Sequence, residues 1–247
     1  MRRRRSWHSS FAEPLLPLKD NVPTRHVPFF TIGLIAANVL MWVLYQDAGQ
    51  MPGLQQSVNE LAYHPCEVEN TCRQVGQDWP ITVFTSMFMH GGWGHLIGNM
   101  LFLWIFGNNV EDTFGRIRFL VFYILGGLAA TATQTFVTVQ FGSAEDATIP
   151  NVGASGAIAA VLGAYVLLLP WGRVLTWVVP IFFVEIPAAV YLGIWFLFQL
   201  LIGGVSFVQP EEGGGVAYFA HIGGFVFGFL AVRLFAAGRP RPLRPAY

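Results

Sequence analysis

Residues 153–169 read GASGAIAAVLGAYVLLL, a stretch with no charged side chain and with small residues at Gly156, Ala160, Gly163 and Ala164. As a helix it is long enough to cross a ~30 Å hydrocarbon core, which takes about 17 to 25 residues. Working outward, five further runs meet the same test: Phe29–Tyr45, Gly94–Val110, Phe119–Val139, Pro187–Gly204 and Val216–Ala237. Pro, Gly and acidic stretches between them read as loops. The run Gly94–Val110 is the least apolar, because it contains His95 and Asn99. The segment Thr176–Ile186 is apolar but short and holds Pro180 and Glu185, which predicts a surface or re-entrant piece and not a seventh span. The expected fold is an all-α polytopic membrane protein of six transmembrane helices.

Composition agrees. Of the 247 residues, 54% are hydrophobic and 11% charged, against about 25% charged in an ordinary soluble domain. Mean hydropathy is +0.51, which excludes a soluble enzyme. The 14 Lys+Arg balance 14 Asp+Glu, so nothing supports nucleic-acid binding. Distribution matters more than balance, since basic residues stay on the cytoplasmic side of short loops. Arg2, Arg3, Arg4, Arg5, Lys19 and Arg25 precede the first span, Arg116 and Arg118 follow the second, Arg173 the fourth, and Arg233, Arg239, Arg241 and Arg244 close the chain. Only Arg73 lies in an alternate loop, whereas Asp47, Glu60, Glu67, Glu69, Asp78, Glu145, Asp146, Glu211 and Glu212 collect there. Both termini are therefore expected to be cytoplasmic.

The opening arginines lack the apolar core of a secretory signal until Phe29, so the first span is read as retained. The expected division is a short, unstructured cytoplasmic extension at 1–27, a membrane domain at 28–238 with a long outer loop at about 46–83, and a short cytoplasmic tail at 239–247. In that loop Leu54, Val58 and Leu61 have helical spacing and predict a short interfacial helix. Cys66 and Cys72 share the same loop; a disulfide and two free thiols both stand as readings, and this pair alone makes a poor metal site.

Strongly polar side chains inside a span are costly and usually have a reason. His95 and Asn99, four residues apart, share a face of the second span, with His90 just outside it in His90-Gly-Gly-Trp-Gly-His95. Ser155 stands where a loop turns into the fourth span, and His221 near the start of the sixth. With the N-terminus inside, the second, fourth and sixth spans all begin on the outer side. The three clusters then lie at one depth. Close approach of helices in lipid relies on small residues; Gly156, Ala160, Gly163 and Ala164 face that requirement on the fourth span, and Gly224 and Gly228 on the sixth. A seam through them brings His221 toward Ser155. The matching chemistry is serine attack on a carbonyl with histidine as proton carrier. No outer carboxylate has an obvious route to His221, which predicts a Ser/His dyad. The Ser155 amide, free at a helix start, and the side chains of His95 and Asn99 are candidate oxyanion donors.

These residues resemble the rhomboid intramembrane serine proteases over roughly Phe84 to Leu230. The resemblance rests on His90-x4-His95-x3-Asn99, Gly107-Asn-x-x-Glu111, Gly153-x-Ser155-Gly156 and Ala220-His221-x-x-Gly224-x3-Gly228. It implies a rhomboid-like six-helix core, Ser155 as nucleophile and His221 as general base. It also implies His95, Asn99 and the Ser155 amide around the oxyanion, single-span membrane proteins as substrates in the bilayer, and no metal or cofactor. Two positions depart from the family. Trp79 is followed by Pro80 where members often carry Arg, and Ala159 stands one turn after the serine where some carry an aromatic against which the histidine stacks. Glu111 is expected to pair with Arg116 or Arg118, and His90 is given no catalytic role. The fifth span, with Trp195, Phe196 and Phe198, is the expected gate.

Rival classes fit less well. There is no H-E-x-x-H helix for a metalloprotease, no span carries the aspartates of an intramembrane aspartyl protease, and no charged pathway or inverted repeat suggests a transporter. The remaining alternative is a non-proteolytic binder of membrane helices, a pseudoprotease. Lean architecture and short tails suggest a bacterial inner membrane.

Overall fold

A computed structural model describes residues 15–72, 76–178, 180, 182–208 and 217–244. Arg2 to Arg5, Arg73, Glu211 and Glu212, and Val216 at the start of the sixth run, lie outside the described residues.

In chain order, strand β1 (Leu15–Asp20) precedes helix α1 (Phe29–Leu40), which runs on through a wide π turn at Met41–Tyr45. The long loop after it holds α2 (Gly53–Leu61) and α3 (Trp79–Thr85). Helix α4 (Trp93–Phe102), a π turn at Leu103–Gly107 and α5 (Asn108–Phe114) follow one another without a break. Then come α6 (Arg116–Phe141), α7 (Ser155–Leu168), strands β2 (Arg173–Val178) and β3 (Phe182–Pro187), α8 (Ala188–Val208) and α9 (Tyr218–Ala236). Among the described residues, α6, α8 and α9 are long and apolar enough to cross a bilayer, and Phe29–Tyr45 and Ser155–Leu168 are shorter apolar helices. The chain is thus a helical, multi-pass membrane protein.

Helix α7 is the hub. The nine residues between Ser155 and Tyr165 are all small or aliphatic, and Gly156 through Tyr165 are all buried. At 1.5 Å per residue its 14 residues span only about 21 Å, less than a ~30 Å hydrocarbon core. Ser155 is its first residue. The seam with α9 is as close as backbones allow. A β-carbon on Gly224 would collide with the Gly156 carbonyl oxygen, and one on Gly228 with that of Ala160.

Two expectations are corrected. The fold is not all-α: the short apolar segment after the fourth span is a β-hairpin, and β1 joins it in an antiparallel sheet of order β1-β2-β3. Nor is the whole 1–27 extension unstructured, because β1 pairs Leu15 with Val178 and Asp20 with Val174. The strand is pinned by side chains as well: Asp20 Oδ2 accepts from Asn109 Nδ2 at 2.6 Å and from the Tyr165 hydroxyl at 2.6 Å. Burial pushes the Asp20 carboxyl up to about 6 from an ordinary 3.8, outweighing the opposite pull of the Tyr165 hydroxyl. The folded state therefore holds this proton over a range where the unfolded chain has lost it, and stability falls as pH rises from about 4 to 6, then levels. Thermal unfolding in detergent should show this downward step in the wild type and a flatter profile in Asp20→Asn; identical profiles would contradict the assignment.

Glu111 does not pair with Arg116 or Arg118. Its buried carboxylate accepts from the Phe30 and Thr31 amides at 2.9 and 2.7 Å and from Thr31 Oγ1 at 2.8 Å. It caps the start of α1, where backbone N–H groups have no partner in their own helix. Arg118 instead donates to the carbonyls of Phe235 and Ala237 at the end of α9, and Arg116 lies over the Phe29 ring. Asp112, next to Glu111, takes Arg25 and His26.

Candidate active site

Ser155 sits at the N-terminus of α7, preceded by Gly153 at φ +130°, a conformation that side chains with a β-carbon rarely adopt. The Gly153 amide is held by the Ser86 carbonyl at 2.9 Å. Two residues earlier, the Asn151 amide donates to the Tyr63 carbonyl at 2.7 Å, which ties the approach to α7 onto the long loop that holds α2 and α3. That loop is internally braced. The predicted short helix is α2, Cys66 and Cys72 are disulfide-bonded with Cα atoms 5.6 Å apart, and Thr85 Oγ1 donates to the Leu61 carbonyl at 2.8 Å. Pro80 falls in the first turn of α3, where its missing N–H costs nothing.

The structure brings the four sequence-chosen residues to one end of the bundle. Ser155 Oγ is 2.8 Å from His221 Nε2, the pairing that the small-residue seam predicts. His95 and Ser155 flank one point beside Gly153: a β-carbon there would lie 2.8 Å from His95 Nε2 and 3.6 Å from Ser155 Oγ. Asn99 is buried, and its Nδ2 is 3.0 Å from Nε2 of His90. His90 thus has a larger part than the sequence reading gave it. Its ring packs edge-on against His95 with centroids 5.0 Å apart, and Gln46 clamps its backbone, accepting from the His90 amide and donating to its carbonyl, both at 2.8 Å.

The contacts that orient His221 come from a helix the sequence reading did not consult for them. Ala159 is fully buried beside Gly224 in the α7–α9 seam and offers the ring no stacking partner. Helix α8 supplies what that position does not. His221 Nδ1 is 2.8 Å from Gln199 Oε1, and the Trp195 ring lies 5.9 Å from the imidazole at an interplanar angle of 35°. Tyr218 meets it edge-on at 6.4 Å. A signal for Gln199 existed: it is the one amide in the run Pro187–Gly204, close to its C-terminal end. Gln134 of α6 was likewise passed over; its Oε1 accepts from the Ala220 amide at 3.1 Å and helps fix the start of α9. No group of three or more His, Cys, Asp or Glu side chains suited to a metal occurs among the described residues.

A helical membrane protein with a hydrogen-bonded serine and histidine at the start of a short central helix is a narrow class. Comparison with known proteins identifies the family. Residues 77–238 match the family model of the Rhomboid domain, and the chain belongs to the rhomboid family. It is 29% identical over 150 residues to the presenilin-associated rhomboid-like protein, mitochondrial, of Bos taurus, covering 61% of this chain and 36% of that protein. Rhomboid protein 1, mitochondrial, of Saccharomyces cerevisiae is 30% identical over 61% of this chain and 40% of its own length. The rhomboid protease GluP of Bacillus subtilis is 33% identical over 56% of this chain and 24% of its own. The matched region is thus well under half of each of these relatives.

Proposed function

We propose that the chain is an intramembrane serine endopeptidase that cleaves single-span membrane proteins near the outer face of the bilayer, with Ser155 as nucleophile and His221 as general base. The observation that carries this reading is the 2.8 Å contact between Ser155 Oγ and His221 Nε2 at the start of α7. The serine hydroxyl donates to Nε2; on attack its proton passes to that nitrogen and later to the leaving amine. Negative charge develops on the carbonyl oxygen. The Ser155 amide, with no acceptor in its own helix, and the side chains of His95 and Asn99 are the donors assigned to it. His90 acts through Asn99, by holding its amide. In this reading the chain crosses the bilayer six times, Gly94–Val110 being part of the continuous α4–α5 helix, with both termini on the side of the basic residues and the fifth span as the gate.

The named activity of the Bacillus relative supports proteolysis. A bacterial inner membrane, expected from the short tails, loses support, since the Bos taurus and Saccharomyces cerevisiae relatives carry mitochondrial names. The competing reading is a pseudoprotease that holds membrane helices without cutting them. Reconstitution in liposomes with a model single-span substrate separates the two: the protease reading predicts two fragments whose masses place the cut in or next to the membrane segment, whereas binding without fragments across several substrates would favour the pseudoprotease. Gly153→Ala is a sharper probe of the oxyanion side. The added methyl must displace the His95 ring and also strains the backbone at φ +130° that leads into Ser155, so turnover should fall about 10²-fold with substrate binding retained; unchanged turnover would remove His95 from the oxyanion assignment.

A further inference from the structure

We propose that Gln199 is the positioning residue for His221, a role that rests on the protease reading above. A neutral imidazole carries one ring proton, and the nitrogen that holds it decides whether the ring can act as a base toward Ser155. The Gln199 side-chain carbonyl oxygen faces His221 Nδ1 at 2.8 Å. A carbonyl oxygen only accepts, so Nδ1 carries the proton and donates it. Nε2 is then the bare nitrogen, and it is the one that faces Ser155 Oγ at 2.8 Å. Gln199 therefore selects the tautomer that can receive the serine proton. It also gives the imidazolium formed during attack a fixed acceptor, the office that a buried carboxylate fills in a triad.

The placement of Gln199 argues that its amide serves this contact. Leu197, Phe198, Leu200 and Leu201 around it are exposed on the outer surface of α8, as lipid-facing residues should be, while Gln199 is 3% exposed and turned inward. A primary amide in such a helix is costly unless it is hydrogen-bonded. One turn earlier on the same face, Trp195 covers the imidazole. Helix α8 thus fixes both the tautomer and the plane of the ring, in a chain where Ala159 cannot act as a stacking partner.

The test uses the full chain in liposomes and compares wild type, Gln199→Leu and Gln199→Glu by labelling of Ser155 with a fluorophosphonate, by kcat and KM on a model single-span substrate, and by thermal unfolding. The leucine variant should label and turn over about 10- to 100-fold more slowly with KM unchanged. The glutamate variant, whose carboxylate accepts the same Nδ1 proton, should recover most of the rate. Solid-state 15N spectra of wild-type His221 should show a protonated Nδ1 and a bare Nε2, a readout that does not depend on the variants folding. Wild-type rates in a folded leucine variant, no recovery in a folded glutamate variant, or the opposite tautomer would each overturn the role of Gln199 while leaving the protease reading intact. A wild type that neither labels nor cleaves would overturn both.

Discussion

Ser155→Ala is expected to lower peptide-bond cleavage by at least about 10⁴-fold, and His221→Ala by a comparable factor. The two groups act as one unit, joined by a single 2.8 Å hydrogen bond, so removing either leaves the other without a function in the chemistry. The double variant should be little worse than either single one, because losses within one catalytic unit do not add. Neither change should unfold the chain. Ser155 heads α7 without making a side-chain cap, and its replacement by alanine removes one oxygen from a site that is only part-buried. Cleavage and thermal unfolding measured on the same preparations give the comparison. A serine variant that retains even a hundredth of wild-type turnover would point to a different nucleophile.

The second large effect lies away from the reacting atoms. Gly228→Ala puts a methyl group onto the Ala160 carbonyl oxygen, backbone against backbone, with no flexible side chain to give way. Overpacking of interiors costs typically 1–3 kcal/mol, roughly, and a rigid contact belongs at the top of that range. The catalytic consequence is larger. Gly228 is seven residues from His221 on nearly the same face of α9, so separating the helices there draws Nε2 away from Oγ, and a misplacement of about 1 Å can cost 10²-fold. Turnover should drop about 10²-fold or more and the unfolding temperature should fall. Gly193→Ala is the matched control, because a β-carbon there meets nothing within 4 Å; it should change neither.

Different parts of the molecule were legible in the sequence for different physical reasons. The helical runs declare themselves because a bilayer tolerates few polar groups along a helix, and the expectation that Ser155, His95, Asn99 and His221 share one level came from counting spans. The seam was readable because small residues in lipid have few other uses: Gly224 and Gly228 meet Gly156 and Ala160 as their spacing suggests. The sheet was not readable. Strand β1 is six residues long with Pro17 inside it, and its partner β2 begins at Arg173, so no local pattern announces the pairing. Glu111 misled for the opposite reason: nearby arginines made a local ion pair attractive, while the unpaired amides it caps belong to Phe30 and Thr31, some eighty residues earlier. Gln199 was present in the pattern as a lone amide in an apolar run, but its partner stands on another helix, 22 residues on. What orients the histidine became visible only once the helices were packed.

The central claim, that Ser155 is a nucleophile activated by His221, is tested most directly by reacting the full chain in liposomes with a fluorophosphonate and locating the adduct by mass spectrometry. The account predicts one adduct, on Ser155, formed by the wild type and absent from His221→Ala. An adduct on another serine, or undiminished labelling of Ser155 without His221, would contradict it.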